Sequence, residues 1–437
     1  MVTAINTIWV IFAASLVFFM EGGFALLEAG LVQAKNALSI VMKVMADVTV
    51  GSIVFATVGF GLLYARTGSS WFGFGGFFLH GQFVHFAHLP TPVLWFFEMA
   101  FAVAAVSIVS GAVSERMQFS AYLIYVVVGI LAYSISAHWV WNPDGWLHRL
   151  GMVDFAGSSV VHAFGGFSAL AAAWMVGPRK GRFETPSAVF RPSNLPLAFA
   201  GTFILWFGWF GFNAGSTLSA FSPLIGAIVT NTMLAAAAGA VTALAMTRWT
   251  EQTFDATMVM NGALSGLVAI TAGCASVSLG GALAIGGMAG ILMVLGTKGM
   301  DVIQVDDPVG AVPVHAVNGL FGTMAVGLFA LRGGLLYGGG VHLLKVQVFG
   351  SLVIAAWGFA VTALALGAIR QWGTLRVSPH AESDGLDLRI HGHRAYYHLT
   401  ISPETTPRLS REQSSHLSVS PLSATGLDSG QETLPGS

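Results

Sequence analysis

Val161-His162-Ala163-Phe164-Gly165-Gly166 and, 153 residues later, Val314-His315-Ala316-Val317-Asn318-Gly319 share the pattern Val-His-Ala-x-x-Gly. Each lies in a run of apolar and small residues about 20 long, the length that crosses a hydrocarbon core of about 30 Å. Working outward from these two runs, eleven such stretches are predicted, near residues 6–33, 36–65, 92–114, 117–142, 154–177, 195–214, 222–247, 257–275, 279–299, 313–331 and 341–369. The two histidine runs are the fifth and the tenth. An offset of five is odd, so their chains run in opposite directions, and the two halves become an inverted repeat of the kind that places a substrate path at the repeat interface. The expected fold class is an all-α membrane protein with eleven transmembrane helices, a five-helix inverted repeat followed by one further helix.

Composition agrees. Only 9% of the 437 residues are charged, against about 25% in a soluble domain, while the set AVILMFWYC makes up 55%. A lipid bilayer is the partner that such a surface needs. The net charge of −1 supplies no basic field for phosphates, which excludes nucleic acid as a partner. One cysteine, Cys274, leaves no intramolecular disulfide and no zinc-type spacing. Met1 to Thr7 carries no Lys or Arg ahead of the first apolar run, so that run is expected to be retained rather than cleaved as a signal. With the N-terminus outside, the inner loops hold Lys35, Arg116, Arg179, Lys180, Arg182, Arg191, Arg248 and Lys298, and the outer loops only Arg66, Arg149 and Arg332. This asymmetry predicts N-terminus out and C-terminus in. Charge also divides the chain into a body over 1–369, a polar C-terminal region over 370–400, and a Ser/Thr/Pro-rich tail over 401–437 expected to be disordered.

Ionisable groups inside spans are costly and mark candidate function. They are Glu21, Glu28, Lys43, Asp47, Glu98, Asp154, His162 and His315. Lys43 and Asp47 stand four apart on one helix face and are expected to satisfy each other. Glu21 and Glu28 read as links between helices. The histidines differ, since both sit inside apolar runs at equivalent places. Two imidazoles that meet can hydrogen-bond each other and line a dry path. The alternative is two unrelated core histidines bonded to backbone carbonyls.

Several further stretches carry a resemblance. Asp154-Phe155-Ala156-Gly157-Ser158-Ser159-Val160-Val161-His162 and Gly208-Trp209-Phe210-Gly211-Phe212-Asn213-Ala214-Gly215-Ser216 resemble signatures of the ammonium transporters of the Amt/Mep/Rh superfamily, the Amt branch in particular. So do Phe24-Ala25-Leu26-Leu27-Glu28-Ala29-Gly30, Gly111-Ala112-Val113-Ser114-Glu115-Arg116, Val305-Asp306-Asp307-Pro308 and Gly385-Leu386-Asp387-Leu388, over residues 5 to 397. The resemblance implies a transporter rather than an enzyme, needing no cofactor or metal. It also implies a homotrimer in the bacterial inner membrane with one narrow pore per subunit. Phe97, Phe101, Trp141 and Ser216 would recruit ammonium outside, Phe101 and Phe212 would form a stacked gate, His162 and His315 the twin histidines of the pore, and Asp154 a supporting carboxylate. Phe97 with Phe101, and Phe212 with Ser216, are each four apart and share a helix face, in keeping with those roles. The resemblance further implies that a PII-type signalling protein docks at the cytoplasmic mouth.

The chain departs from that pattern at Glu98, where Gln is usual beside the aromatic site, and at Glu21, usually neutral. Ile390 and His393 replace polar or acidic residues in the tail motif, which weakens the carry-over of tail coupling and PII docking. The expected function is transport: ammonium is recruited and deprotonated outside, and ammonia is conducted past the phenylalanine gate and the histidines. The alternative is an ammonium sensor on the same scaffold with little or no conduction. A membrane metal site built on His162, His315 and a carboxylate lacks the other ligands expected nearby, and an aquaporin-like channel is disfavoured because no paired Asn-Pro-Ala turns occur in the sequence.

Overall fold

The computed structural model describes residues 1–86, 88–184 and 190–396, so the tail over 401–437 lies outside the described residues. Among them the chain is helical, with isolated bridges and no strands. Ten helices are long and apolar enough to cross a membrane: Val2–Leu31, Ala34–Tyr64, Thr91–Ala112, Phe119–Arg149, Ser158–Val176, Leu195–Gly215, Ile225–Glu251, Leu279–Val302, Val312–Phe329 and His342–Trp372. The other expected span is shorter: Ala256–Ile270 is apolar and helical, and its chain continues to Val277 as turns. We number the eleven in chain order, spans 1 to 11. Helices are imposed by the solvent, because hydrocarbon offers no partner for a backbone N–H or C=O. The chain is thus a multi-pass membrane protein.

Small residues let the spans approach. Spans 1 and 6 run antiparallel, and a Cβ added at Gly30 would stand 2.6 Å from the Ala198 nitrogen. Spans 5 and 10 cross reciprocally: Gly319 lies against the backbone of Ser158 to Ala163, and Gly166 against that of His315 and Ala316. Any side chain there would drive the two apart. Both spans also begin with a π-helical turn, over Ser158–Ala163 and Val312–Val317. Such turns add one residue per turn and are frequent at functional sites.

Two expectations change. Span 5 was expected from residue 154, but the helix starts at Ser158, and Asp154 stands in the preceding loop. Lys43 and Asp47 do not pair. Lys43 Nζ donates to the Val113 carbonyl at 3.3 Å, and Asp47 accepts from the Tyr122 hydroxyl at 2.8 and 2.9 Å. The phenol from span 4 supplies Asp47 with a donor, and Lys43 Nζ lies 5.3 Å from the centre of the same ring. Glu21 and Glu28 accept from Ser107 and Ser110 of span 3 at 2.8 and 2.6 Å, linking spans 1 and 3 as expected.

The C-terminal region docks at the start of span 2. Asp387 accepts from the free N–H groups of Leu38 (3.0 Å) and Ser39 (2.7 Å), which places a carboxylate at a helix N-terminus, where it is favoured. Lys35 Nζ donates to the carbonyls of Glu382 and Ser383, and Asn36 accepts from Leu386 N–H. The replacements Ile390 and His393 therefore leave docking within the subunit intact.

Candidate functional site

The local anchors explain how the histidines are held. Gly157 enters the first π turn at φ 111°, a conformation that L side chains resist, and turns the next N–H groups toward Asp154. The Asp154 carboxylate accepts from the N–H groups of Gly157, Ser158, Ser159 and Val160 at 2.8–3.1 Å. Its own carbonyl accepts from the Trp141 indole at 2.8 Å. One residue thus fixes both the segment that carries His162 and the Trp141 ring.

Asp307 repeats this device. It stands 153 residues after Asp154, followed by Gly310 at φ 80°, and accepts from Gly310 N–H (3.1 Å) and Val312 N–H (2.7 Å). Sequence reading missed this role. The signal was present, because the offset that matches the histidines also matches Asp-x-x-Gly.

At the centre, His162 Nδ1 and His315 Nδ1 are 3.2 Å apart, with ring centroids 5.2 Å apart and 28° between planes. Their exposures are 2% and 5%. Sharing one proton between two Nδ1 atoms forces opposite tautomers: one ring carries its hydrogen on Nδ1, the other on Nε2. His162 Nε2 is buried without a hydrogen-bond partner among the described residues.

An aromatic column rises from this pair. His162, Trp209 (5.1 Å) and Phe212 (5.5 Å) form a triangle of mutually neighbouring rings, Trp209 and Phe212 being 5.5 Å apart; Phe212 stacks on Phe101 at 4.0 Å and 29°; Phe101 meets Phe97 at 4.6 Å and Trp141 edge-on at 5.9 Å. Phe24 lies 6.3 Å from His315 on the other side. Above Phe101 opens a cavity of about 320 Å³, lined by Phe97, Glu98, Trp141, Ser216 and Tyr64 among others. Ser216 Oγ donates to the Phe212 carbonyl at 2.9 Å, one turn back. Phe97, Phe101, Trp141, Ser216, Phe212, His162 and His315 are therefore neighbours along one path, with Asp154 behind it. Tyr64, Phe155, Trp209 and Thr217, which join them, were not singled out.

At the opposite face, buried Arg179 bridges Glu115 and Asp306. Its Nη1 donates to Glu115 at 2.8 Å, and its Nε, Nη2 and backbone N–H donate to Asp306 at 2.8–2.9 Å. Burial opposes the Asp306 charge, but the Arg179 hydrogen bonds outweigh it and hold that carboxyl below the usual carboxylate range. Arg116, also buried, donates to the Asp306, Gly177 and Ser114 carbonyls. This network fixes the loop that carries Asp307.

Comparison with known proteins agrees with this geometry. A putative ammonium transporter of Synechocystis is 45% identical over 403 residues, 89% of this chain and 88% of its own length. The ammonium transporter Amt2 of Archaeoglobus fulgidus is 42% identical over 429 residues, covering 92% and 90%. Among solved structures, a sensor Amt protein superposes with a TM-score of 0.83 at 38% identity, covering 89% of this chain and 98% of its own. Candida albicans Mep2 gives 0.79 at 28%, covering 84% of each. The sequence profile of the Ammonium Transporter Family matches residues 8–396, and the chain therefore belongs to that family, whose members are transporters and not enzymes.

Proposed function

We propose that this chain carries ammonium nitrogen across the membrane as ammonia, with the proton removed before the dry part of the path. Ammonium is recruited by the faces of Phe97, Phe101 and Trp141 and by the Ser216 oxygen. It then loses its proton, and ammonia passes the Phe101–Phe212 pair and the imidazoles of His162 and His315. The observation that carries this reading is the buried histidine pair, 3.2 Å between nitrogens, directly beneath two stacked phenylalanines.

Magnitudes select the species that passes. Placing a bare monovalent cation in a low-dielectric path costs tens of kcal/mol by Born estimates. Cation–π contacts return about 0.5–2 kcal/mol each. An alkylammonium titrates near pH ~10.4, so nearly all substrate arrives charged and must shed a proton to proceed. Potassium has no proton to shed, which gives selectivity. Asp154 acts by holding the His162 segment and Trp141 in place.

The test is transport by protein reconstituted in vesicles. Ammonium or methylammonium flux with negligible potassium flux is expected, and equal flux of the two ions would defeat the reading. Net charge per substrate then reports whether the proton follows the histidine pair; a value of zero excludes a proton-coupled, electrogenic route. His162→Asp or His315→Glu puts a carboxylate in the dry path and is expected to lose flux or selectivity, read by the same assay.

The sensor reading draws on the solved sensor Amt protein at 38% identity. Methylammonium uptake by intact cells separates the two, since a sensor need not conduct. The loop charges support an outer N-terminus, an inner C-terminus and, with the family resemblance, a homotrimer in a bacterial inner membrane. A PII-type protein would meet the face where the C-terminal region docks against Lys35 and Asn36.

A further inference from the structure

The outer cavity holds a carboxylate to which the proposed pathway gives no role. Glu98 follows Phe97 on span 3, is 4% exposed and lines the cavity with Phe97, Phe101, Trp141 and Ser216. Its Oε1 accepts the Tyr64 hydroxyl at 3.0 Å, while its Oε2 is buried with no hydrogen-bond partner among the described residues. No Lys, Arg or His forms an ion pair with it among the described residues. A buried carboxylate left this way is costly unless it holds a proton or a ligand supplies a donor.

The rest of the wall cannot supply one. The Tyr64 hydroxyl proton is given to Glu98, that of Ser216 to the Phe212 carbonyl, that of Thr217 to Ala214, and the Trp141 N–H to Asp154. Every polar side-chain hydrogen in that set points into the protein. What faces the cavity is a set of acceptors: the free Glu98 oxygen, the Ser216 lone pairs and the aromatic faces. Such a set fits a small cation that brings several N–H donors of its own.

We infer that Glu98 is the acidic wall of the outer site and a determinant of its affinity, ionised when a cation occupies the cavity, its Oε2 then accepting one N–H of ammonium or methylammonium while Tyr64 holds the other oxygen. This deepens the transport reading and rests on it for the identity of the ligand.

The test uses the full chain purified in detergent, with its melting temperature followed as ammonium chloride is titrated against potassium chloride at matched ionic strength. Glu98→Gln keeps the shape and the Tyr64 bond but removes the charge. The ammonium concentration giving half the effect is expected to rise about 10- to 100-fold, as for the loss of one charge-assisted hydrogen bond. Tyr64→Phe keeps the charge and is expected to shift it by less than about threefold, and Glu98→Asp, which draws the carboxylate back, by about threefold or more. In vesicles, Glu98→Gln should raise half-saturation for methylammonium by the same factor while the maximal rate changes less.

A Glu98→Gln shift below twofold overturns the inference, as does equal stabilisation by potassium or none by ammonium. Should Glu98→Gln yield no folded protein, Glu98→Asp decides, and a shift below twofold again overturns it. Ammonium binding that depends on Glu98 without vesicle uptake removes the transport reading and leaves Glu98. Uptake with unchanged half-saturation removes Glu98 and leaves transport.

Discussion

The segments Ser158–Ala163 and Val312–Val317 do the same work from opposite directions, and they are held by different means. Asp154 accepts four N–H groups from the first. Asp307 accepts two at the second, one from Gly310 just ahead of it and one from Val312. In the second, the position equivalent to Val160 is Pro313, which has no N–H to give. Beyond the carboxylates, the first segment is tied by the hydroxyls of Ser158 and Ser159, whose counterparts are Ala311 and Val312. The second gains its fixity from outside, through the Arg179 network on Asp306, the neighbour of Asp307. A repeated pattern thus preserves the geometry of the histidines and not the interactions that secure it.

The largest expected effect lies in the carboxylates. Asp154→Ala orphans four buried N–H groups at about 1–3 kcal/mol each, about 4–12 kcal/mol in all, whereas Asp307→Ala frees two part-buried ones and costs less. Folded yield and melting temperature in detergent should fall further for Asp154→Ala, and equal losses would break the comparison. Next comes the external support. Arg179→Ala leaves Glu115 and Asp306 as buried carboxylates and is expected to cost about 3–5 kcal/mol. Because the folded Asp306 carboxyl titrates below its unfolded value of about 3.9, its contribution is present above that pH and is lost as pH falls through the folded value. The difference in melting temperature between wild type and Asp306→Asn should therefore narrow only below about pH 4. A constant gap across that range would remove Asp306 as the titrating support.

The fold and the meeting of the two histidines were legible because each rests on a signal that survives in one dimension. A span needs about 20 apolar residues whatever its neighbours, and the two histidines share a six-residue frame. What escaped depends on contacts between spans. The spacing of Lys43 and Asp47 suggested a pair, but spacing on one helix cannot reveal the Tyr122 hydroxyl arriving from another. Tyr64 lies 34 residues before Glu98 in an unremarkable apolar stretch. The π turns insert a residue where every neighbour is apolar or small, so no break in hydrophobic period marks them. Asp307 escaped because the fillers Pro308-Val309 and Phe155-Ala156 share nothing, although the Asp and Gly around them match.

The smallest effect separates the two serines that only the first segment has. Ser158 Oγ donates to the Val268 carbonyl and accepts from the Ala272 N–H, both at 2.7 Å, at the end of span 8, where the helix gives way to turns. Ser158→Ala therefore leaves a buried N–H without an acceptor and is expected to cost about 1–3 kcal/mol. Ser159 Oγ meets only the Thr323 hydroxyl of span 10 at 2.7 Å, and Thr323 retains the Gly319 carbonyl as a partner at 3.3 Å. Removing a bond whose survivor stays satisfied costs less, so Ser159→Ala is expected to lose about 0.5–1.5 kcal/mol. Melting temperatures of the two variants give the order. If Ser159→Ala proves the more damaging, the link across the repeat interface, and not the anchor to span 8, is what secures the segment that carries His162.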